Sequence, residues 1–364
     1  MTYQILVFED NDSNYESLKQ PLLEDLDTEM YTIDHFEGDT TAADGEDDAS
    51  FVKRLLEETG EPGYPLVVIL DAELNEYTLS TVRRPDVRDA CGDLGIPLCV
   101  YHRDEGEYAN PESVKDSDDQ IIQLRPVDGG HRGMAAECAG IIEGFRSIRE
   151  HLVARMEDAD AKELLERPSE FLTDMADVPV SAKPNLDKYS WGQSESLSVL
   201  TEDEMKEDAI RRKGTILGYW MYNQVLEYPG VLVNSVAAAS YLDVDVKMFC
   251  ESDEIQALFS QAAYEGPFSG VQQWWWTAEL DSVLTRNTTV DDEGTISARE
   301  FIKREEFDID PVECLEGHKD AGYYCVLSKE PVCEEHSVSP EAWIPAGASL
   351  TRISEEEYMK LSGW

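Results

Sequence analysis

The chain has 364 residues, more than one hydrophobic core holds comfortably, so two or three domains are expected. It carries 77 acidic and 30 basic residues for a formal net charge of -47. The excess runs along the whole chain instead of filling one tail, the pattern of a halophilic surface whose crowded carboxylates are screened by concentrated counterions. Such acidity argues against a nucleic-acid partner, although weakly when it is a general background.

The amino terminus, MTYQILVFED, reads as a strand with no basic flank, and no targeting element is expected. No apolar run reaches the roughly 18 residues of a membrane span. Seven cysteines scattered over the chain do not suggest a secreted disulfide framework. A cytoplasmic protein with no membrane partner is expected.

From residue 1 to about 150, short apolar runs alternate with helical spacing. YQILVF (3–8), MYTIDHF (30–36), PLVVIL (65–70), IPLCVY (96–101) and QIIQL (120–124) read as strands. Leu18, Leu22 and Leu26, then Phe51, Leu55 and Leu56, have the spacing of amphipathic helices. The third and fourth strands are apolar without alternation, which predicts burial on both faces of a parallel sheet. Five β-α repeats predict an α/β fold, a flavodoxin-like doubly wound five-stranded parallel sheet. An apolar stripe at Ile141, Ile142, Phe145, Ile148 and Leu152 closes this first domain, residues 1–152.

A helical connector and linker follow over 153–198. VARMEDADAKELLERPSEFL is either the connector or a seam between two copies of the chain, and VPVSAKPNLDKYSWGQSES has the Pro and Ser content of a linker. Residues 199–286 read as a mostly helical domain, with a capping box predicted at Thr201 and Glu204. Within it LVNSVAAASYLDVDVK (232–247) has the rhythm of a helix-turn-helix or winged helix. Its reading helix would open near Asp243 and Asp245, which repel phosphates, so DNA is not the favoured partner. Arg211-Arg212-Lys213 is the best local basic cluster. Trp274, Trp275 and Trp276 on a helix would point about 100 degrees apart, which predicts that at least one reaches another domain or a partner. Residues 287–364 read as a small α+β region holding three of the cysteines and two of the six histidines.

Chemistry concentrates at the strand ends of the first domain. Strand one ends Phe8-Glu9-Asp10-Asn11, strand three at Asp71, strand four at Tyr101-His102 and strand five at Leu124-Arg125-Pro126. In a doubly wound sheet these carboxyl ends meet along one edge, where ligands bind. Three carboxylates there suit Mg²⁺, with Asp71 placed to attack a phosphoryl group.

This arrangement resembles the receiver domain of two-component response regulators. ILVFEDN is similar to that family's opening ILVVDDE or ILVVEDN, LDAEL resembles its phosphoacceptor strand, and Leu124-Arg125-Pro126 stands where the family has Lys-Pro. The resemblance covers about residues 1–152 and implies a metal held by Glu9, Asp10 and Asp71, with Asp71 the phosphoacceptor. It implies phosphate contacts from His102, in place of the family's Thr or Ser, and from Arg125, in place of its Lys. Arginine differs from lysine in shape and reach. Asn75 replaces the usual proline after the acceptor segment.

In the last region Cys314-x3-His318, Cys325 and Cys333-x2-His336 offer enough ligands for a tetrahedral Zn²⁺ site, although no Cys-x2-Cys pair is present. Cys333 and His336 also have the residue types of a nucleophile and base, but their spacing alone establishes neither role. The expected function is a signalling protein, not an enzyme. Its receiver-like domain answers to a sensor kinase or an effector protein and controls a C-terminal effector or protein-interaction region, with homodimerisation as a further expectation. The competing reading is a DNA-binding transcriptional regulator using residues 230–260 and a zinc-stabilised tail.

Overall fold

The structure is a computed structural model, which describes residues 2–36, 42–58, 64–74, 82–101, 121–124, 131–155, 167–189, 206–287, 296–305, 307–319, 321–341 and 343–362. The chain forms two compact units. The first comprises residues 1–166 and 193–220, and the second 167–192 and 221–364. Among the described residues, no helix is long and apolar enough to cross a membrane.

The first unit is α/β. Its elements are β1 (Tyr3–Phe8), α1 (Asp12–Asp25), β2 (Tyr31–Phe36), α2 (Asp48–Glu58), β3 (Val67–Asp71), α3 (Arg84–Leu94), β4 (Leu98–Tyr101), β5 (Ile122–Leu124) and α4 (His131–Arg155). The five strands make one all-parallel sheet in the order β2-β1-β3-β4-β5. Leu6, Phe8, Val68, Leu70, Leu98 and Val100 pack with Phe51, Val52 and Leu56 of α2 and Val87, Ala90 and Leu94 of α3. The alternate strand residues Ile5, Val7, Val67, Ile69 and Cys99 are equally buried, as continuous apolarity predicts for a sheet covered on both sides. Helices α1 and α4 pack against each other. The stripe expected at Ile141, Ile142, Phe145, Ile148 and Leu152 is buried throughout.

Two short helices, α5 (Pro168–Met175) and α6 (Lys183–Leu186), belong to the second unit, and α7 (Lys206–Tyr219) returns to the first. Although the sequence groups α7 with the helical segment after 199, it packs along α4. A Cβ on Gly218 would lie 2.1 Å from Cε1 of Phe145, so only glycine permits this approach. Arg211 is not part of an exposed basic patch. Its Nε donates to the Leu94 carbonyl at the end of α3 (2.7 Å), its Nη2 pairs with Asp208 (2.8 Å) and its guanidinium lies 3.6 Å from the Tyr64 ring centre. A cation over the last carbonyls of a helix satisfies acceptors that have no partner within the helix.

A π-helical segment (Trp220–Leu226), all but its first residue in the second unit, leads to β6 (Leu232–Asn234), α8 (Ser235–Leu242), α9 (Val246–Glu251), α10 (Asp253–Leu258), β7 (Trp274–Trp276), α11 (Thr277–Arg286) and α12 (Ala298–Arg304). Helix α5 begins within the stretch expected to be a helical connector, and the stretch expected to be a linker, 178–196, carries α6. Leu186 and Tyr189 are buried, and the Tyr189 hydroxyl donates to the Tyr228 carbonyl at 2.9 Å. The three tryptophans form a strand, not a helix, antiparallel to β6, and all three are buried within this unit. A strand sends alternate side chains to opposite faces, and both faces are covered: Trp275 meets Phe249 and Trp276 meets Tyr264.

Helices α8 and α9 are joined by a turn at Asp243 and pack on each other. Asp243 adopts the left-handed conformation at the turn and pairs with Arg299 (2.6 Å), while Asp245 caps α9 by accepting from the Met248 amide (2.9 Å). The second helix has only six residues, about 9 Å of length. The chain ends in β8 (Tyr323–Cys325), β9 (Pro331–Val332), β10 (Ser337–Val338), β11 (Thr351–Ser354) and α13 (Glu355–Ser362). These strands form a mixed sheet in the order β10-β11-β8-β9. The expected capping box at Thr201 and Glu204 lies outside the described residues.

Candidate functional site

The strongest constellation lies at the carboxyl edge of the parallel sheet. Strand β1 ends at Phe8 and delivers Glu9 and Asp10, while β3 ends on Asp71. Phe8 pairs with Leu70, so the residues that follow emerge side by side. One carboxylate oxygen from each of Glu9, Asp10 and Asp71 lies within 4.8 Å of the other two. Glu9 and Asp71 are fully buried and Asp10 is partly exposed.

Backbone geometry holds these acids in place. Oε1 of Glu9 accepts from the Asn11 amide (3.0 Å) and from Nδ2 of Asn14 (3.3 Å), and its Oε2 accepts from the Tyr101 hydroxyl. Asn11 is the N-cap of α1, its side chain accepting from the Ser13 and Asn14 amides, so the same turn that starts the helix positions Glu9. Oδ1 of Asp71 accepts from the Glu73 amide (2.9 Å). The Ala72 amide donates to the Tyr101 carbonyl (2.9 Å), and Tyr101 is itself the register partner of Asp71. Tyr101 thus links the two strand ends, by its hydroxyl to Glu9 and by its carbonyl to the residue that follows Asp71.

His35 supports the site from β2. Its Nε2 lies 2.7 Å from the Glu9 carbonyl, which can only accept, so Nε2 carries the proton. Its ring stacks on Tyr15 at 4.0 Å. Sequence reasoning gave no role to Tyr101, Asn14 or His35. Only the position of Tyr101 beside His102 at a strand end hinted at one. His102, Arg125 and Asn75 lie outside the described residues.

Converging carboxylates around a partly open position form a donor set for a hard, oxygen-seeking divalent cation. Glu9, Asp10 and Asp71 fit Mg²⁺ by chemistry and by proximity.

A second grouping lies in the other unit. One ligand atom from each of Cys314, Cys333 and His336 falls within 4.8 Å of the rest, and His318, Glu335 and His336 form an adjoining set. Cys333 Sγ is 3.1 Å from Nδ1 of His336. The rings of His318 and His336 stand nearly perpendicular, 4.3 Å apart. Cys325 does not join them: it is fully buried at the end of β8, where its sulfur accepts from the Ser328 and Ser354 amides. Burial raises the Cys333 thiol above its ordinary range, which opposes a thiolate nucleophile in the metal-free protein.

No family model matches the sequence, and no curated protein is significantly similar to it.

Proposed function

We propose that the first unit is a receiver-like regulatory module of doubly wound, flavodoxin-like type, with Asp71 as its phosphoacceptor. The observation that carries this reading is the meeting of Glu9, Asp10 and Asp71 at the carboxyl edge of a parallel sheet ordered β2-β1-β3-β4-β5. Ligands of such sheets bind at that edge, where strand order reverses. Background acidity scatters carboxylates over a surface, whereas here two of three are buried.

In this reading Asp71 forms a bond from a carboxylate oxygen to phosphorus while the bond from phosphorus to the donor's leaving atom breaks. The Glu73 amide holds the Asp71 carboxylate in orientation. Glu9, fixed by Asn11, Asn14 and Tyr101, and the partly exposed Asp10 would hold Mg²⁺ together with Asp71. Bound there, the ion would supply positive charge that offsets the carboxylates and the phosphoryl oxygens. Phosphorylation changes the charge beside β4, and the Tyr101 links carry that change into the strand end. A two-state surface biased this way would speak to a protein partner, a sensor kinase or an effector. The second unit is then the output or interaction region.

The competing DNA-binding reading draws less support. Arg211, the first residue of the best basic cluster, is occupied within the first unit, and the turn between α8 and α9 carries acids. The test is incubation of the full chain with Mg²⁺ and acetyl phosphate, followed by intact-mass analysis. One phosphoryl group on the wild type and none on Asp71→Asn is expected. An unmodified wild type, or an equally modified Asp71→Asn, overturns the assignment.

A further inference from the structure

We infer that the second unit contains a closed structural zinc site built by Cys314, His318, Cys333 and His336, with Cys325 outside it. The four residues come from two loops, each contributing one thiol and one imidazole. The first loop is a tight turn in which the Cys314 amide donates to the His318 carbonyl (2.8 Å) and the Gly317 amide to the Cys314 carbonyl (2.8 Å). Gly317 has φ of +76°, a left-handed conformation natural to glycine, and it turns the chain so that His318 comes back beside Cys314. The second loop, Cys333-Glu334-Glu335-His336, joins β9 to β10 and is closed by Ser337 Oγ donating to the Cys333 carbonyl (2.5 Å). The Leu315 amide donates to the Pro331 carbonyl (3.1 Å), tying the first loop to β9, the strand that leads into the second.

Both sulfurs are buried and three of the four ligands already converge on one point. The His318 amide donates to Cys314 Sγ at 3.4 Å, a bond that orients a sulfur and strengthens when that sulfur is a thiolate. His318 is the exposed member: its ring stands against the His336 ring and its Nδ1 lies 3.9 Å from Oε2 of Glu335, and in this proposal it turns from that carboxylate to supply the fourth ligand. A set of two thiols and two imidazoles selects Zn²⁺ over hard cations. Their local core is small, Val312, Cys314, Ala321 and Cys333, and the strands beside it have two or three residues. A metal clip supplies what so little apolar burial leaves short. Binding converts two thiols to thiolates, releases their two protons and leaves a site of no net charge.

The test uses the full chain purified without chelator from zinc-replete medium. Metal analysis is expected to give one zinc per chain, retained in Cys325→Ser and in Glu335→Gln and lost in Cys333→Ser and His318→Ala. Exchange of the wild type with Co²⁺ reads the same site without mutation. Thiolate-to-cobalt charge transfer in the near ultraviolet with strong visible bands reports tetrahedral sulfur and nitrogen ligation. Substoichiometric zinc together with no cobalt bands overturns the proposal. So does an unreduced mass lower by two hydrogens that maps to a Cys314–Cys333 disulfide, or zinc lost as readily from Cys325→Ser as from Cys333→Ser. None of these results depends on whether Asp71 accepts a phosphoryl group.

Discussion

Three carboxylates within 4.8 Å of one another should make the first unit weaker than its core allows until a cation arrives. At that bounding separation and an effective dielectric of about 20, two unit charges repel by about 3.5 kcal/mol. Asp71 takes part in two of the three pairs, so Asp71→Asn removes about 7 kcal/mol or more of repulsion between fully ionised groups at these separations. Counterions and solvent screening offset much of this, which leaves an expected net gain of about 1 to 3 kcal/mol in chelator. Asparagine keeps an acceptor for the Glu73 amide, so the local turn survives the change. Mg²⁺ should then stabilise the wild type by about 2.7 kcal/mol at a hundredfold excess over its Kd and Asp71→Asn by clearly less. Hydrogen exchange of the β1 and β3 peptides during urea unfolding at fixed KCl, in chelator and in Mg²⁺, measures this unit alone. An Asn variant that is less protected than wild type in chelator and gains equally from Mg²⁺ would refute the idea of a strained cation site.

Three further outcomes follow from particular contacts. Tyr101→Phe removes a donor from the buried Glu9 carboxylate and should cost about 1.5 to 3 kcal/mol, read by the same exchange experiment, with weaker Mg²⁺ stabilisation. Gly218→Ala would ordinarily strengthen a helix by about 1 kcal/mol. Here the new Cβ meets the Phe145 ring, so a loss of about 1 to 3 kcal/mol of unfolding free energy, read from urea unfolding, is expected, partly recovered by adding Phe145→Leu. Tyr31 is buried and donates to Glu143 (2.6 Å), and both facts raise its phenol above the ordinary 10.0. The folded state therefore holds that proton more tightly, and the stability it contributes is complete below pH 10.0 and falls as pH rises beyond it. Tyr31→Phe should flatten the alkaline limb of a urea-midpoint profile.

The sequence by itself determined the first sheet. Runs such as VVIL and LCVY are apolar without alternation, and only a strand covered on both faces uses that pattern, so strand type and parallel pairing were legible before any contact was known. The acids were legible too, because a polar residue that ends a buried strand must emerge at the sheet edge. Their support was not. Tyr101 acts on Glu9 across 92 positions of chain and His35 across 26, distances that no local periodicity encodes. The tryptophan run misled for a related reason: three identical residues carry no period, and pairing with β6 was what made them a strand. Composition likewise suggested a linker where Tyr189 is buried against the Tyr228 carbonyl. Among the cysteines, spacing offered Cys325 on equal terms with the others. Tertiary structure separated them, because a strand that ends in the sheet turns Cys325 to the backbone amides of Ser328 and Ser354, whereas two reversing loops turn Cys314 and Cys333 toward the same point. Local pattern fixes which groups leave an element and on which side. Which of them meet is decided by pairings between segments far apart in the chain.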